Sequence, residues 1–147
     1  MITVSTLLMA KGYDIYTIDK DATALEALDL LAEKNIGALL VTHAKKPVGI
    51  FSERDFVRKV AADKKIDTKT HVEKFMTPEV FCVTLTETMD EIMAIMTNKH
   101  IRHLPVCDEG QLVGMISIGD VVKQQIEDKD LLINNMEKYI LGRGYGE

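Results

Sequence analysis

Two short stretches of the chain place a hydroxyl and a carboxylate at the same spacing. They are Ser52-Glu53-Arg54-Asp55 and Ser117-Ile118-Gly119-Asp120, and each follows an apolar run. The pattern S-x-x-D at the start of a helix is a good N-cap, because the hydroxyl and the carboxylate satisfy free backbone N–H groups. The same helix start, with its positive dipole end, could also present the carboxylate to the vicinal hydroxyls of a sugar. The pattern leaves both interpretations, helix cap and binding site, open.

No pattern typical of a catalytic or metal site accompanies these stretches. His100 and His103 are close in sequence, but no third ligand follows at a suitable spacing. Cys82 and Cys107 lie in apolar runs without a C-x-x-C motif, which favours buried thiols. No Ser/His/Asp, Cys/His or paired-carboxylate arrangement is legible, so we predict no enzyme, no metal and no catalytic cofactor.

The composition is that of a globular protein. The 147 residues are 46% hydrophobic and 28% charged, with a formal net charge of -5. No run reaches the roughly 18 apolar residues of a membrane span, and the opening MITVSTLLMA lacks the basic start of a secretory signal. The acidic balance argues against a nucleic-acid partner. We therefore expect a cytoplasmic protein without a membrane or nucleic-acid partner.

The two S-x-x-D stretches belong to an internal repeat. Moving the sequence along by 65 residues, without a gap, gives 11 identical positions between residues 23 and 57. A repeat of this kind indicates two copies of one supersecondary unit. The identical pairs are Thr23/Thr88, Glu26/Glu91, Lys34/Lys99, Ile36/Ile101, Leu39/Leu104, Val41/Val106, Val48/Val113, Gly49/Gly114, Ser52/Ser117, Asp55/Asp120 and Val57/Val122.

Each copy predicts the same order of elements. An extended segment, DIYTI or EVFCV, leads to a capping box, Thr23-x-x-Glu26 or Thr88-x-x-Glu91, which begins a helix. An apolar strand, a polar turn and a second strand follow, and a further helix begins after the second strand. The helical spacing predicts core-facing side chains at Leu25, Leu28 and Leu31 in the first copy and at Met89, Ile92, Met93 and Met96 in the second.

The predicted fold class is therefore α/β (α+β), with two β-α-β-β-α repeats packed about a pseudo-twofold axis. One unit of about 60 residues is marginal alone, so the two should pack together. We expect an N-terminal helix at 1–9, repeats at 10–68 and 69–127, and an amphipathic C-terminal helix and tail at 128–147 that docks on its own core or a second subunit. Gly142, Gly144 and Gly146 are interpreted as a frayed end and not as a phosphate loop.

The doubled pattern resembles a tandem pair of cystathionine β-synthase (CBS) domains, the Bateman module. The resemblance rests on T-x-x-E, then NIGALLV or HIRHLPV, then VGIFSERD or VGMISIGD, and covers residues 10–127. The opening LLMAKG and the closing MEKYILGRG are similar to bacterial-type proteins that consist of little besides the CBS pair. The family implies a non-enzymatic regulatory module that binds adenosine-containing ligands (AMP, ADP, ATP, NAD or S-adenosylmethionine) in two clefts between the repeats. It also implies a homodimer and an unknown protein effector.

The resemblance assigns residues to two ligand slots. In each slot an aspartate would accept hydrogen bonds from the ribose hydroxyls, and a serine would assist it. Backbone and apolar groups of the opposite repeat would bind adenine. The residues implied for slot 1 are Asp55, Ser52, Arg54, Phe81, Ile101, Arg102 and His103. Those implied for slot 2 are Asp120, Ser117, Ile118, Tyr16, Ile36, Gly37 and Ala38.

The two implied slots differ in charge. Arg54, Arg102 and His103 accompany Asp55, whereas the corresponding positions for Asp120 carry small uncharged residues. Because Arg can meet phosphate with paired charge-assisted hydrogen bonds, only slot 1 is predicted to recognise phosphate. The alternative for Arg102 is a surface ion pair.

Three functional hypotheses follow. The leading one is a regulatory sensor in which an adenosine ligand favours one arrangement of the protein over another. The second is an oligomerisation adapter with empty clefts, in which S-x-x-D serves only as a helix cap. The third is a small nucleotide-processing enzyme, for which the sequence shows no identifiable acid, base or nucleophile.

Overall fold

A computed structural model describes residues 1–140, apart from the side chain of Tyr139. The predicted glycine-rich end, with Gly142, Gly144 and Gly146, lies outside the described residues. The elements are α1 (Val4–Lys11), β1 (Thr17–Asp19), α2 (Ala24–Lys34), β2 (Ala38–His43), β3 (Lys46–Ser52), α3 (Glu53–Asp63), a 3-10 turn (Val72–Lys74), α4 (Met89–Lys99), β4 (His103–Asp108), β5 (Gln111–Ser117) and α5 (Ile118–Ile140). The mixed α/β class with two repeats and flanking helices is confirmed.

The chain divides into two compact units whose boundaries differ from those of the sequence repeats. Residues 14–82 form a continuous unit, whereas residues 1–13 join the chain from residue 83 onward in a discontinuous unit. The repeat boundaries at 10–68 and 69–127 therefore describe the repeating sequence but not the compact units. The physical reason lies in the segment that comes before each repeat's first extended stretch, which we call its leading segment. The leading segment of repeat 1, α1, packs on β5 through Leu8, and that of repeat 2, around Met76, packs on β3.

The continuous unit is built on a three-stranded sheet in the order β1-β2-β3. β1 pairs in parallel with β2, and β2 pairs antiparallel with β3. Positive φ values at Ala44 and Lys45 allow the tight hairpin between β2 and β3. The buried core of this unit consists of Ala24, Ala27, Leu31, Leu39, Val41, Phe51, Val72 and Phe75.

The discontinuous unit contains the same hairpin, formed by β4 and β5. The strand that corresponds to β1 is reduced to a single bridge. The sequence predicts an extended EVFCV segment, but only Val83 pairs, through a parallel bridge to Val106. The Val83 N–H donates to the Pro105 carbonyl at 2.9 Å, and the Cys107 N–H donates to the Val83 carbonyl at 2.9 Å. Cys82 is exposed and Cys107 half-buried, so the expectation of a buried Cys82 thiol is wrong, since Val83 is the residue that fills the core.

The first helix of each repeat begins at the predicted threonine. At Thr23 the capping box is complete, with the Thr23 hydroxyl and the Glu26 carboxylate bonding each other's backbone N–H groups at 3.1 Å. At Thr88 the hydroxyl accepts from the Glu91 N–H at 3.2 Å, and only this half of the box is formed.

Two of the three predicted core-facing leucines of α2 are confirmed, because Leu31 is buried and Leu28 packs against the core. The prediction for Leu25 is wrong, since it is 48% exposed, and Ala24 and Ala27 are buried instead. The small alanines let the helix lie close to the sheet, and this turns Leu25 to the outside. In α4 the prediction is confirmed, because Met89, Ile92 and Met96 are buried and Met93 packs against them.

The second helix of repeat 2 and the predicted tail helix form one continuous helix, α5. Every residue of α5 from Ile126 onward whose burial is described is exposed. Between Ile126 and Ile140 the tail helix therefore does not dock on the chain's own core, and docking on a second subunit stays a prediction. The large apolar side chains exposed along this part are Ile126, Leu131, Leu132, Ile133, Met136 and Ile140.

Residues 1–140 hold neither a membrane-spanning helix nor a cluster of metal ligands. None of the helices there combines the length and the apolar character that crossing a membrane requires. No group of three or more His, Cys, Asp or Glu side chains in that range lies where it could hold a metal ion.

Candidate functional site

The first S-x-x-D stretch connects β3 to α3 and forms a complete capping box. The Asp55 Oδ2 accepts hydrogen bonds from the Ser52 N–H at 2.8 Å and from the Ser52 hydroxyl at 2.9 Å, and the Asp55 N–H donates to Ser52 Oγ at 3.2 Å. The other carboxylate oxygen, Oδ1, accepts from the Thr77 hydroxyl at 3.2 Å. We call this arrangement the Asp55 junction.

Thr77 is held at the Asp55 junction by the strand next to it. The Ile50 N–H donates to the Thr77 carbonyl at 2.9 Å, and the Thr77 N–H donates to the Ile50 carbonyl at 2.8 Å. The close approach is possible because Gly49 has no side chain: a Cβ there would lie 2.7 Å from the Thr77 oxygen and 2.5 Å from Met76 Sδ. The glycine of the repeat thus lets the leading segment reach Asp55.

The second S-x-x-D stretch connects β5 to α5 with the same local geometry. The Ser117 N–H donates to Asp120 Oδ2 at 2.8 Å, and the Asp120 N–H donates to Ser117 Oγ at 3.2 Å. The ammonium of Lys11, in the last turn of α1, lies 2.7 Å from the same Oδ2 and also donates to the Met115 carbonyl at 2.7 Å. We call this arrangement the Asp120 junction.

The charge of Asp120 is stabilised by its neighbours. Partial burial by itself raises the pKa of this carboxyl, but the Lys11 ammonium and the Ser117 donors together outweigh it and lower the pKa below its usual value. Asp120 is therefore an anion at neutral pH, with Oδ2 already bonded.

The strand before each hairpin begins beside the junction of its own unit. In the continuous unit, Ala38 is paired with Ser52, and the Glu53 N–H donates to the Gly37 carbonyl at 3.4 Å. In the discontinuous unit, His103 is paired with Ser117, and the Ile118 N–H donates to the Arg102 carbonyl at 2.8 Å. These contacts place the strand starts at the junctions.

The side chains predicted to bind ligand differ in exposure. Arg54 and Arg102 are exposed, and within residues 1–140 neither forms an ion pair, so the described chain offers no surface ion pair as an alternative role for Arg102. Phe81 is 39% exposed. Ile36 and Ile101 pack against the cores of their units, and the Tyr16 ring lies 5.5 Å from the Lys34 ammonium.

Each predicted slot takes residues from both compact units. Ser52, Arg54, Asp55 and Phe81 of slot 1 lie in the continuous unit, and Ile101, Arg102 and His103 lie in the discontinuous one. For slot 2, Ser117, Ile118 and Asp120 lie in the discontinuous unit, and Tyr16, Ile36, Gly37 and Ala38 lie in the continuous one. The structure brings together the serine and aspartate of each junction, and the full sets stay predictions.

Sequence reasoning missed the two residues that contact the aspartates from outside the junctions, Lys11 and Thr77. Lys11 brings a cation to Asp120 from outside the positions that the comparison of the two slots considered. The repeat gave no signal for either residue, because at the offset of 65 Thr77 falls on Gly12 and Met76 on Lys11, and neither pair is alike.

Comparison with known proteins finds CBS domains over most of the chain. The model of the CBS domain matches residues 4–62 and 72–127. The mitochondrial CBS domain-containing protein CBSX3 of Arabidopsis thaliana is 31% identical over 152 residues, which cover 97% of this chain and 73% of that protein.

Solved structures are similar over most of the chain. A candidate signal-transduction protein with CBS domains from Burkholderia ambifaria MC40-6 is 46% identical with a TM-score of 0.82, and the match covers 86% of this chain and 95% of that one. A hexameric CBS-CP12 protein from bloom-forming cyanobacteria is 27% identical with a TM-score of 0.72, over 83% of this chain and 70% of that one.

Proposed function

Because the chain belongs to the CBS-domain family, we propose that it is a regulatory module that binds an adenosine-containing ligand and transmits the ligand state to a protein effector. CBS pairs are regulatory modules, and a neighbour is described in terms of signal transduction. The ligand is AMP, ADP, ATP, NAD or S-adenosylmethionine, and it binds through the slot residues named from the sequence. We place this function in the cytoplasm, without a nucleic-acid or membrane partner.

The observation that carries the proposal is the duplicated junction. Both copies hold a partly exposed aspartate at a helix start with matching geometry, 2.8 Å from the serine N–H to Oδ2 and 3.2 Å from the aspartate N–H to Oγ. A fixed carboxylate is the acceptor that two vicinal ribose hydroxyls need. The exposed guanidinium of Arg102 supplies a phosphate donor that is not engaged in an ion pair within residues 1–140.

Calorimetric titration of the purified chain with AMP, ATP, NAD and S-adenosylmethionine tests the proposal. We expect saturable binding of at least one of these ligands and no chemical change in it when the same samples are analysed by chromatography. Absence of binding to all of them would favour the adapter hypothesis, and a new product would favour the enzyme hypothesis.

A second part of the proposal is that the chain forms a homodimer, for which α5 supplies the support. Six large apolar side chains are exposed between Ile126 and Ile140. An isolated helix of this length is marginal in water, so packing against a partner would stabilise it. The similar CBS-CP12 protein is described as hexameric, which is consistent with self-association in this family.

A further inference from the structure

The Lys11 ammonium forms an ion pair with the Asp120 carboxylate, which is the group that the proposed ligand needs at the Asp120 junction. It lies 2.7 Å from Asp120 Oδ2 and 2.7 Å from the Met115 carbonyl, so it is held by two acceptors. The two side chains of the ion pair are 32% and 24% exposed, so a ligand arriving from solvent can reach both. Lys11 is therefore a competitor for Asp120 as long as no ligand is bound.

Within residues 1–140, no cation forms an ion pair with Asp55, the aspartate of the continuous unit. The corresponding contact at the Asp55 junction comes from the neutral hydroxyl of Thr77, 3.2 Å from Asp55 Oδ1. Lys11 itself falls on Met76 when the repeats are compared at their offset of 65. The two junctions thus differ in what a ligand must displace.

The hydrogen bonds at Asp120 determine what that displacement costs. The Ser117 N–H, at 2.8 Å, and the Lys11 ammonium, at 2.7 Å, both bond Oδ2. One ribose hydroxyl can donate to Oδ1, but the second reaches Oδ2 only if Lys11 leaves, because a carboxylate oxygen has about two acceptor sites. Removing the ammonium from its anion is unfavourable unless another anion receives it.

We propose that Lys11 makes the Asp120 junction selective for phosphorylated adenosine ligands. Lys11 covers Asp120 in the ligand-free protein and moves to the phosphate when a nucleotide binds, which opens Asp120 to the ribose. Adenosine carries no anion, so it must displace Lys11 without compensation. This inference rests on the proposed function, and it makes α1 the element that responds to the ligand at this junction.

The test is a comparison of AMP and adenosine binding by calorimetry, in an Asp55→Ala background so that the remaining binding reports on the Asp120 junction. Lys11→Met gives this junction the residue found at the equivalent position of the other repeat. We expect adenosine affinity to rise about 10-fold, because the charge-assisted bond from Lys11 to Asp120 no longer has to be broken. AMP affinity should stay the same or fall, because for AMP Lys11 exchanges one anion for another, so the preference for AMP falls at least about 10-fold.

Two controls distinguish selection from a structural ion pair. Lys11→Arg keeps the charge and should keep the preference for AMP. Lys20→Met removes a lysine that pairs with Asp21 and Glu73 in the continuous unit, and it should leave the preference unchanged. If Lys11→Met does not fold, added salt applied to the Asp55→Ala protein should weaken AMP binding and not adenosine binding.

The outcomes separate this inference from the proposed function. If the protein with its natural sequence binds no adenosine ligand, the proposed function and this inference are both wrong. If it binds AMP but Lys11→Met shifts AMP and adenosine affinities by the same factor, Lys11 only supports the fold, and this inference alone is wrong. The same holds if salt affects both ligands equally.

Discussion

Replacing Gly49 by alanine should destabilise the continuous unit. The new Cβ would lie 2.5 Å from Met76 Sδ and 2.7 Å from the Thr77 carbonyl oxygen. The Met76 side chain can rotate, but the Thr77 carbonyl cannot move without stretching its 2.9 Å bond from the Ile50 N–H. Overpacking lowers the free energy of unfolding by about 1–3 kcal/mol, and each weakened backbone hydrogen bond lowers it by up to about 1 kcal/mol more. Alanine also reduces the entropy of the unfolded chain, which offsets about 0.4–1 kcal/mol of this loss.

We therefore expect Gly49→Ala to lower the free energy of unfolding by about 2–3 kcal/mol, which corresponds to roughly 5–10 °C in Tm. Gly114→Ala is the matched control from the other repeat. The three atoms nearest to its Cβ would all belong to the Leu8 side chain, with Cδ1 and Cδ2 at 2.9 Å and Cγ at 3.5 Å. Leu8 is buried, but a side chain yields more readily than a hydrogen-bonded carbonyl, so the expected loss is about 1–2 kcal/mol and smaller than at Gly49.

Urea denaturation of both variants measures the difference. Equal losses, or a larger loss for Gly114→Ala, would show that the contact with the Thr77 carbonyl does not limit the space at Gly49. Because Thr77 also donates to Asp55, Gly49→Ala should weaken ligand binding at the Asp55 junction, whereas a binding curve identical to that of the parent would contradict this link.

Three other predictions concern charge and assembly. Arg102→Ala should lower AMP affinity about 10- to 100-fold and leave adenosine affinity unchanged, and equal losses in calorimetry would contradict a phosphate contact. The lowered pKa of Asp120 stabilises the fold above the ordinary carboxyl pKa of about 4, and this contribution is lost as pH falls through the folded pKa. The stability advantage over Asp120→Asn should therefore shrink below about pH 4 in denaturation experiments, and a constant difference would argue against it. Ile126→Glu with Ile133→Glu on α5 should convert a dimer into a monomer in sedimentation experiments, and an unchanged dimer would place the interface elsewhere.

The repeat was the part of the sequence that predicted most of the fold. Matching residues at one offset predicted two β-α-β-β-α copies, and the caps at Thr23 and Ser52 were legible because capping depends on residues only three positions apart. The core face of α2 was predicted correctly at Leu31 but not at Leu25, since a search for large apolar residues overlooks Ala24 and Ala27, which are buried. Burial there depends on how closely the helix approaches the sheet, and this is a tertiary property.

The candidate site was predictable where it is local and not where it is long-range. Asp55 and Asp120 lie at helix starts as predicted, since each is held by the serine three residues before it. The contact of Lys11 with Asp120 joins residues 109 positions apart. No local pattern encodes such a contact, because it depends on which unit α1 packs against.

The position of α1 has a consequence for how the chain acquires its structure during synthesis. The ribosome makes α1 before residues 14–82, but the strand that covers Leu8, at Gly114, is made after them. The continuous unit can therefore fold while the side chains of Val4, Leu7 and Leu8 are still exposed to solvent. All three are buried in the complete structure. The discontinuous unit can close only later, over a loop that contains an already folded unit, at an entropic cost that grows slowly with loop length. A nascent chain stalled before β5 would thus carry an apolar N-terminal segment that a chaperone could bind.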